Sequence, residues 1–241
     1  MKSKDLVVLV ISILLWSCSE KKTTNTKVID DINSEKFYQL LQNEKNGILI
    51  DVRTPEETSQ GHIKDATLID YYSDNFTQKL DFVRKDVPIF VYCRSGGRSS
   101  SAAKKMEKMG FTKVFNLIGG IASWNKNNYE IVKTKNIKDE NVKSISLADF
   151  YELLNTNLPI LVDFHTKWCV PCKKMIPIVE ELEKEYRGKA IIIRIDIDSS
   201  KEISKKYNIK IVPTFILFKN GSESWRKQGL ISKQELLSVL R

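Results

Sequence analysis

The sequence predicts an α/β protein built as two successive three-layer domains. Three observations carry that expectation. Short, mostly apolar runs of strand length recur along the chain, among them Ile48–Val52, Ile89–Tyr92, Val114–Leu117, Ile160–Phe164, Ala190–Ile197 and Thr214–Phe218. Segments with helical periodicity and helix-end signals separate them, which implies crossover connections and sheets covered on both faces. A polar stretch without periodicity, residues 127–141, divides the series in two. At 241 residues the chain is long enough for two domains of ordinary size.

In the first half, Ser34 reads as an N-cap for a helix over Glu35–Gln42. Ile48–Val52 is a buried strand. Thr54-Pro55-Glu56-Glu57 opens a short helix with Pro in the first turn. A short strand at Thr67–Ile69, a helix at Asn75–Leu80 and the strand Ile89–Tyr92 follow. A helix over Gly97–Met109 stops at Gly110, then come the strand Val114–Leu117 and a short helix at Ile121–Asn125. This order predicts a parallel sheet.

In the second half, a strand at Val142–Ile145 and an amphipathic helix at Leu147–Leu154 precede the strand Ile160–Phe164. A helix over Pro171–Tyr186, the strand Ala190–Ile197, a helix over Lys201–Tyr207 and the strand Thr214–Phe218 continue the series. Lys219-Asn-Gly-Ser222 is a hairpin signal, so Ser224–Gln228 returns antiparallel and the sheet is mixed. Ser232 caps a last helix to Leu240. No sequence repeat relates the halves.

The N-terminus reads as a targeting segment. Lys2 and Lys4 precede an apolar run from Leu6 to Trp16. That run is shorter than the roughly 20 residues needed to span a bilayer and fits a signal-peptide core. Leu15-Trp16-Ser17-Cys18 resembles a bacterial lipobox, although Trp16 is bulky for its place; the resemblance implies lipidation and cleavage at Cys18. The expected organisation is a signal peptide at 1–18, a tether at 19–29, a first domain at 30–133, a linker at 134–142 and a second domain at 143–241. The mature protein is then expected to be exported and lipid-anchored to a bacterial membrane, facing the periplasm.

The net charge is +9, but the lysines alternate with acids, as in Lys104-Lys105-Met106-Glu107-Lys108, and no nucleic-acid motif occurs. A solvated basic surface is expected, with no nucleic-acid partner. The chain has four cysteines. With Cys18 assigned to the anchor, the rest fall in reactive motifs, Cys93 in "YCRSGGRSS" and Cys169 and Cys172 in a CxxC, and none is left for a structural disulfide. Neither cofactor nor metal is expected. A CxxC that formed half a zinc site would need a further Cys or His pair, and only His165 is near.

Cys169 follows a strand and opens a helix, whose free N–H groups and partial positive charge favour a thiolate. Cys172 lies one turn further in, placed to close a disulfide and expel a mixed-disulfide partner. Residues 143–241 closely resemble the thioredoxin family. Trp168 precedes the CxxC, Asp163 stands six residues before Cys169, Pro177 falls inside the helix, and Ile211-Val212-Pro213-Thr214 matches the cis-proline loop. Gly221 and Gly229 match as well. The resemblance implies that Asp163 is a buried acid serving the resolving thiol, and that Val212 and Pro213 lie beside the dithiol and pair with substrate backbone. It implies thiol or disulfide proteins as substrates and a membrane reductase as electron source. Two departures stand out. Val170 replaces a common Gly, which leaves the redox potential open over about 150 mV. His165 replaces an aromatic and reads as a half-buried packing residue. A reductase is the expected direction.

Cys93 ends a strand at the ligand crevice of a parallel sheet. The amides from Arg94 to Ser99 can curl around its sulfur, with Gly96 and Gly97 permitting the turn and Arg94 and Arg98 adding positive potential. Cysteine phosphatases place an arginine six positions after the cysteine. Here that position is Ser99, and Arg98 stands at five. The shorter loop makes a smaller cradle, sized for one sulfur. Residues 30–133 resemble the rhodanese family, through this loop, Asp51-Val-Arg53-Thr-Pro-Glu56-Glu57, Gly61-His62-Ile63, Gly119-Gly120 and Trp124. Gln60 and Lys64-Asp65 depart from the pattern. The resemblance implies a persulfide on Cys93, held by Arg94, Ser95, Gly96, Gly97 and Arg98, with thiosulfate or a persulfide as sulfur donor. Asp51, Arg53, His62 and Trp124 read as structural. The alternative is a first domain that only binds or senses, beside a second that reduces disulfides.

Overall fold

A computed structural model describes residues 27–133 and 144–241. The expected signal peptide, the lipidated Cys18, most of the tether and the linker lie outside these residues.

The first domain is a five-stranded, all-parallel sheet in the order β1-β5-β4-β2-β3. Its elements are β1 (Ile29–Ile32), α1 (Ser34–Asn43), β2 (Ile48–Asp51), α2 (Pro55–Ser59), β3 (Thr67–Leu68), α3 (Phe76–Asp81), β4 (Ile89–Tyr92), α4 (Gly97–Lys108), β5 (Val114–Leu117) and α5 (Gly120–Lys126). The alternation of side chains along each strand builds two cores. Ile50, Ile89, Val91 and Val114 face α3 and α4, meeting Leu80, Ala102 and Met106. Leu49, Phe90, Tyr92 and Phe115 face α1 and α5, meeting Phe37 and Trp124. Each fully buried aromatic contributes about 1.5–3 kcal/mol of transfer free energy, and Phe37, Phe90 and Tyr92 are all at 0% exposure.

Two expectations change. The N-cap of α1 is Asn33, whose side chain accepts from Lys36 N–H at 2.9 Å, and Ser34 is already helical. The stretch expected to end the tether contains the start of β1, an edge strand paired with β5 from Ile29↔Val114 to Ile32↔Leu117. Two aspartates in Ile-Asp-Asp-Ile hide its strand character. Asp30 takes Lys113 at 2.6 Å and Asp31 takes the Asn116 amide at 2.7 Å. The short helix α2 carries the anticipated turn chemistry, a capping box between Thr54 and Glu57.

The second domain holds α6 (Leu147–Leu154), β6 (Ile160–His165), α7 (Val170–Glu185), β7 (Ile191–Asp196), α8 (Lys201–Lys206), β8 (Thr214–Lys219), β9 (Ser222–Gln228) and α9 (Lys233–Leu240). The sheet order is β7-β6-β8-β9, with β6 and β7 parallel and β8 and β9 antiparallel. It too is covered on both faces, by α6 and α8 on one and α7 and α9 on the other. Ser232 accepts from Glu235 N–H at 3.2 Å, the expected cap. Of the strand expected over Val142–Ile145, the first two residues lie outside the described residues, while Ser144 and Ile145 are not in a strand.

Candidate active sites

Cys93 stands immediately after β4, and its loop turns at once into α4. Gly96 takes φ +104, the left-handed conformation that lets its N–H point back at the sulfur, 3.1 Å away. The Ser99 hydroxyl reaches the same sulfur at 3.5 Å. Burial pushes the thiol up, but the Ser99 hydroxyl and the amides of Ser99, Ser95 and Gly96 outweigh it, and the net shift is downward from 9.0. Stabilisation of charge on sulfur thus comes first from the Ser99 hydroxyl and then from the loop amides.

The two arginines of the loop differ in their surroundings. Arg94 is exposed. Arg98 forms a two-pronged ion pair with Glu57, at 2.6 and 2.7 Å, and lies over the Tyr72 ring. Arg98 holds the Glu57 carboxyl down at about 2. Of the two guanidiniums, one is thus solvated and the other is paired with an acid. Glu57 belongs to the site through Arg98, a pairing that its place in the helix start and in the motif Asp51-Val-Arg53-Thr-Pro-Glu56-Glu57 did not announce. The signal was available, an acid in the helix that follows β2, the strand beside β4.

A second close approach fixes the loop. Gly120 has φ +58, and a Cβ there would sit 2.3 Å from the Cys93 carbonyl oxygen. Ile121 N–H donates to that same oxygen at 2.8 Å. The Gly119-Gly120 pair is thus the floor against which the Cys93 loop rests. The residues read as structural are so placed. Arg53 donates to Asp51 and to the Gly61 carbonyl, both at 2.7 Å, the His62 ring contacts the Ile63 carbonyl, and Trp124 donates to the Glu130 carbonyl.

Cys169 is the N-cap of α7 and is bonded to Cys172 as a disulfide. Cys172 N–H donates to Cys169 Sγ at 3.1 Å. Cys169 is 3% exposed and Cys172 is fully buried. Trp168 packs beside them and donates to Asp198 at 2.8 Å. Pro177 lies inside α7, and the Val212–Pro213 bond is cis. Asp163 is buried on β6, with Arg194 of the neighbouring strand donating to it at 3.1 Å. Sequence reading missed Arg194. Its signal was a lone arginine inside the apolar run Ile191-Ile-Ile-Arg-Ile195, opposite Asp163 in the parallel register. His165 is fully buried, where half-burial was expected, and stands across from Asp196.

Comparison with known proteins fits this geometry. Residues 141–241 match the thioredoxin family profile, described as Thioredoxin, and residues 33–127 match the Rhodanese-like domain. A thioredoxin of Rickettsia felis is 44% identical over 86 residues, 36% of this chain and 82% of its own length. A thioredoxin of Pseudomonas aeruginosa is 33% identical over 102 residues, 42% of this chain and 94% of its own. A solved thioredoxin of Plasmodium falciparum is 34% identical, covering 42% of this chain and 95% of its own, with a TM-score of 0.38. The chain belongs to the thioredoxin family. Ahead of its thioredoxin domain it carries a rhodanese-like domain, so it is a thiol oxidoreductase with a sulfurtransferase-like domain.

The two sites are not brought together. The thioredoxin domain meets the rhodanese-like domain at Ile48 and Thr67, the first residues of β2 and β3, and at Phe82 and Val83 after α3. That is the N-terminal edge of the parallel sheet. Cys93 lies at the opposite edge, about 13 Å along a four-residue strand.

Proposed function

We propose that this chain is an exported, lipid-anchored disulfide reductase that also forms a persulfide on Cys93. The reductase reading rests on one observation: Cys169 and Cys172 form a disulfide at the first turn of α7, where the Cys172 amide meets the Cys169 sulfur at 3.1 Å. In the reduced state the Cys169 thiolate attacks a substrate disulfide, and one substrate thiolate leaves. Cys172 then attacks Cys169, the second substrate thiolate leaves, and two electrons have passed to the substrate. A membrane reductase returns the pair to the dithiol. Asp163, paired with Arg194 in the core, moves the proton of Cys172. Trp168, Val212 and Pro213 receive the substrate.

At the other site the Cys93 thiolate takes the outer sulfur of thiosulfate and sulfite leaves. The amides of Ser95, Gly96 and Ser99 hold the resulting persulfide anion. Gly97 opens the helix behind it, and Arg94 and Arg98 add positive potential. In a conformation that brings the sites together, Cys169 attacks the inner sulfur of that persulfide. Hydrosulfide leaves and a Cys93–Cys169 disulfide forms, which Cys172 resolves. A Cys172→Ser chain treated with thiosulfate is expected to hold this adduct, seen by mass spectrometry. Its absence in a folded chain ends the coupling. Export and anchoring at Cys18 are tested by metabolic labelling with a radioactive fatty acid, which a Cys18→Ala chain should not take up.

A second reading is favoured by the contact between the domains: the rhodanese-like domain serves as a binding module and only the dithiol catalyses. Thiosulfate:cyanide transfer by wild type and Cys93→Ala separates the two. Equal background rates support the binding module.

A further inference from the structure

A disulfide reductase must admit a disulfide to its attacking sulfur, and here the space before Cys169 is filled by the same chain. Phe82 of the rhodanese-like domain packs against the apolar cluster around Phe164, Cys169 and Val212 of the thioredoxin domain. It is absent from the core cluster of its own domain. Trp168 reciprocates, packing against the clusters of both domains. The Phe82 carbonyl accepts the Val212 N–H at 3.1 Å, and the Thr67 hydroxyl accepts the Val170 N–H at 3.4 Å. Asp65 pairs with Lys174 at 2.9 Å, and the Lys79 ammonium stands 6.0 Å from the Trp168 ring. A cleft of about 350 Å³ runs along the domain contact past Val170, Pro171, Val212 and Pro213, but Cys169 is not among the residues that line it. The cavity that does touch Cys169, between Ile48, Phe82, Val83, Trp168 and Val212, is about 10 Å³. That is about the room one water needs, far short of a disulfide and its flanking backbone.

We infer that the rhodanese-like domain is an intramolecular cap on the dithiol, with the turn at Phe82 and Val83 occupying the place of an incoming polypeptide. The backbone amide of Val212 and the apolar surface around Cys169 are met by the backbone carbonyl and the phenyl ring of Phe82. These are groups that any unfolded or extended protein segment offers, so the competing ligand is a polypeptide carrying a disulfide next to an apolar residue. Turnover then follows the fraction of chains with the domains parted. In the capped state Cys93 faces away from the dithiol, so the conformation that admits a substrate is also the one in which Cys93 can reach Cys169. This inference rests on the reductase reading above, and the two fail in different measurements.

The test uses the full chain, reduced and freed of reductant, in four forms: wild type, Phe82→Glu, Lys174→Asp and the charge swap Asp65→Lys/Lys174→Asp. Two quantities are read, the rate of Cys169 alkylation by iodoacetamide, followed by peptide mass spectrometry, and dithiothreitol-driven reduction of insulin. Phe82→Glu is expected to raise both by about tenfold or more, because it puts a charge into the apolar contact and enlarges the open fraction. Lys174→Asp raises both by a smaller factor, and the charge swap returns them toward wild type. The rescue separates opening from a local effect of charge on α7. If Phe82→Glu fails to fold, the Lys174 pair of chains decides. Equal alkylation rates in all folded chains overturn the cap and leave the reductase reading standing. Faster alkylation in the variants with no insulin reduction in any chain supports the cap and overturns the reductase reading.

Discussion

The two sulfur sites of this molecule begin with the same local device and end with different surroundings. Each cysteine follows a parallel strand, stands at the start of a helix, and accepts a backbone N–H at 3.1 Å, from Gly96 to Cys93 and from Cys172 to Cys169. After that they diverge. Cys93 has no second thiol beside it among the described residues, and its charge is met by a ring of amides and the Ser99 hydroxyl. Cys169 has Cys172 one turn on, a buried acid behind it, and a whole domain in front. The strand-to-helix junction makes a thiol reactive. What that thiol can do is set by its neighbours: a lone sulfur in a cradle can store a sulfur atom, whereas a pair can hold two electrons.

The largest test of that division exchanges the cysteines for inert residues, in the Phe82→Glu chain so that both sites are open. Cys93→Ala should drop thiosulfate:cyanide transfer to background and leave insulin reduction intact, and Cys169→Ser, which cannot form the adduct with Cys93, should do the reverse. Loss of both activities in either variant would mean the sites work as one unit. Next in size is Gly120→Ala. Its Cβ cannot share space with the Cys93 carbonyl oxygen, so the loop must shift by an ångström or so, and a shift of that order costs about a hundredfold in sulfurtransfer. Dithiol chemistry, read by insulin reduction, should not respond.

The buried ion pairs sharpen the comparison through stability. Each domain has one on a central strand, Asp51–Arg53 and Asp163–Arg194. Truncating the cation strands a buried carboxylate, at a cost of about 3–5 kcal/mol. Urea unfolding should place Arg53→Leu at the upper end, because Arg53 also holds the Gly61 carbonyl, and Arg194→Leu lower. Arg194→Leu should in addition change the pH profile of insulin reduction, as expected if Asp163 carries a proton.

The smallest expected effects are those of pH. The Cys93 thiolate, followed by ultraviolet absorbance against a Cys93→Ser reference, should form with a midpoint below 9.0, and Ser99→Ala should move it upward. Glu57 is depressed from 4.5 to about 2 by Arg98, so its contribution to stability is full above 4.5 and is lost as pH falls toward 2. Thermal melts over that window should show the loss in wild type and not in Glu57→Gln.

Most of both folds was legible because the signals are local. The apolar runs, the capping box at Thr54, the CxxC at a helix start and the hairpin at Asn220-Gly221 each depend on residues close in sequence. The resemblance of Ile211-Val212-Pro213-Thr214 to a cis-proline loop likewise matched the observed cis bond. Strand β1 was lost because its aspartates are satisfied by Lys113 and Asn116, more than eighty positions away. The partners of charge were lost for the same reason, since Glu57 meets Arg98 forty-one positions on and Arg194 meets Asp163 across thirty-one.

By itself, then, the sequence determined two α/β domains, a cysteine in an amide-lined loop and a redox-active pair at a helix start, since backbone geometry and short-range capping dictate these. Only the tertiary structure decided which charges meet and which edge of the first sheet the dithiol faces. Those depend on surfaces such as Phe82, Thr67 and Val212, whose chain-local patterns carry no information about what they will touch.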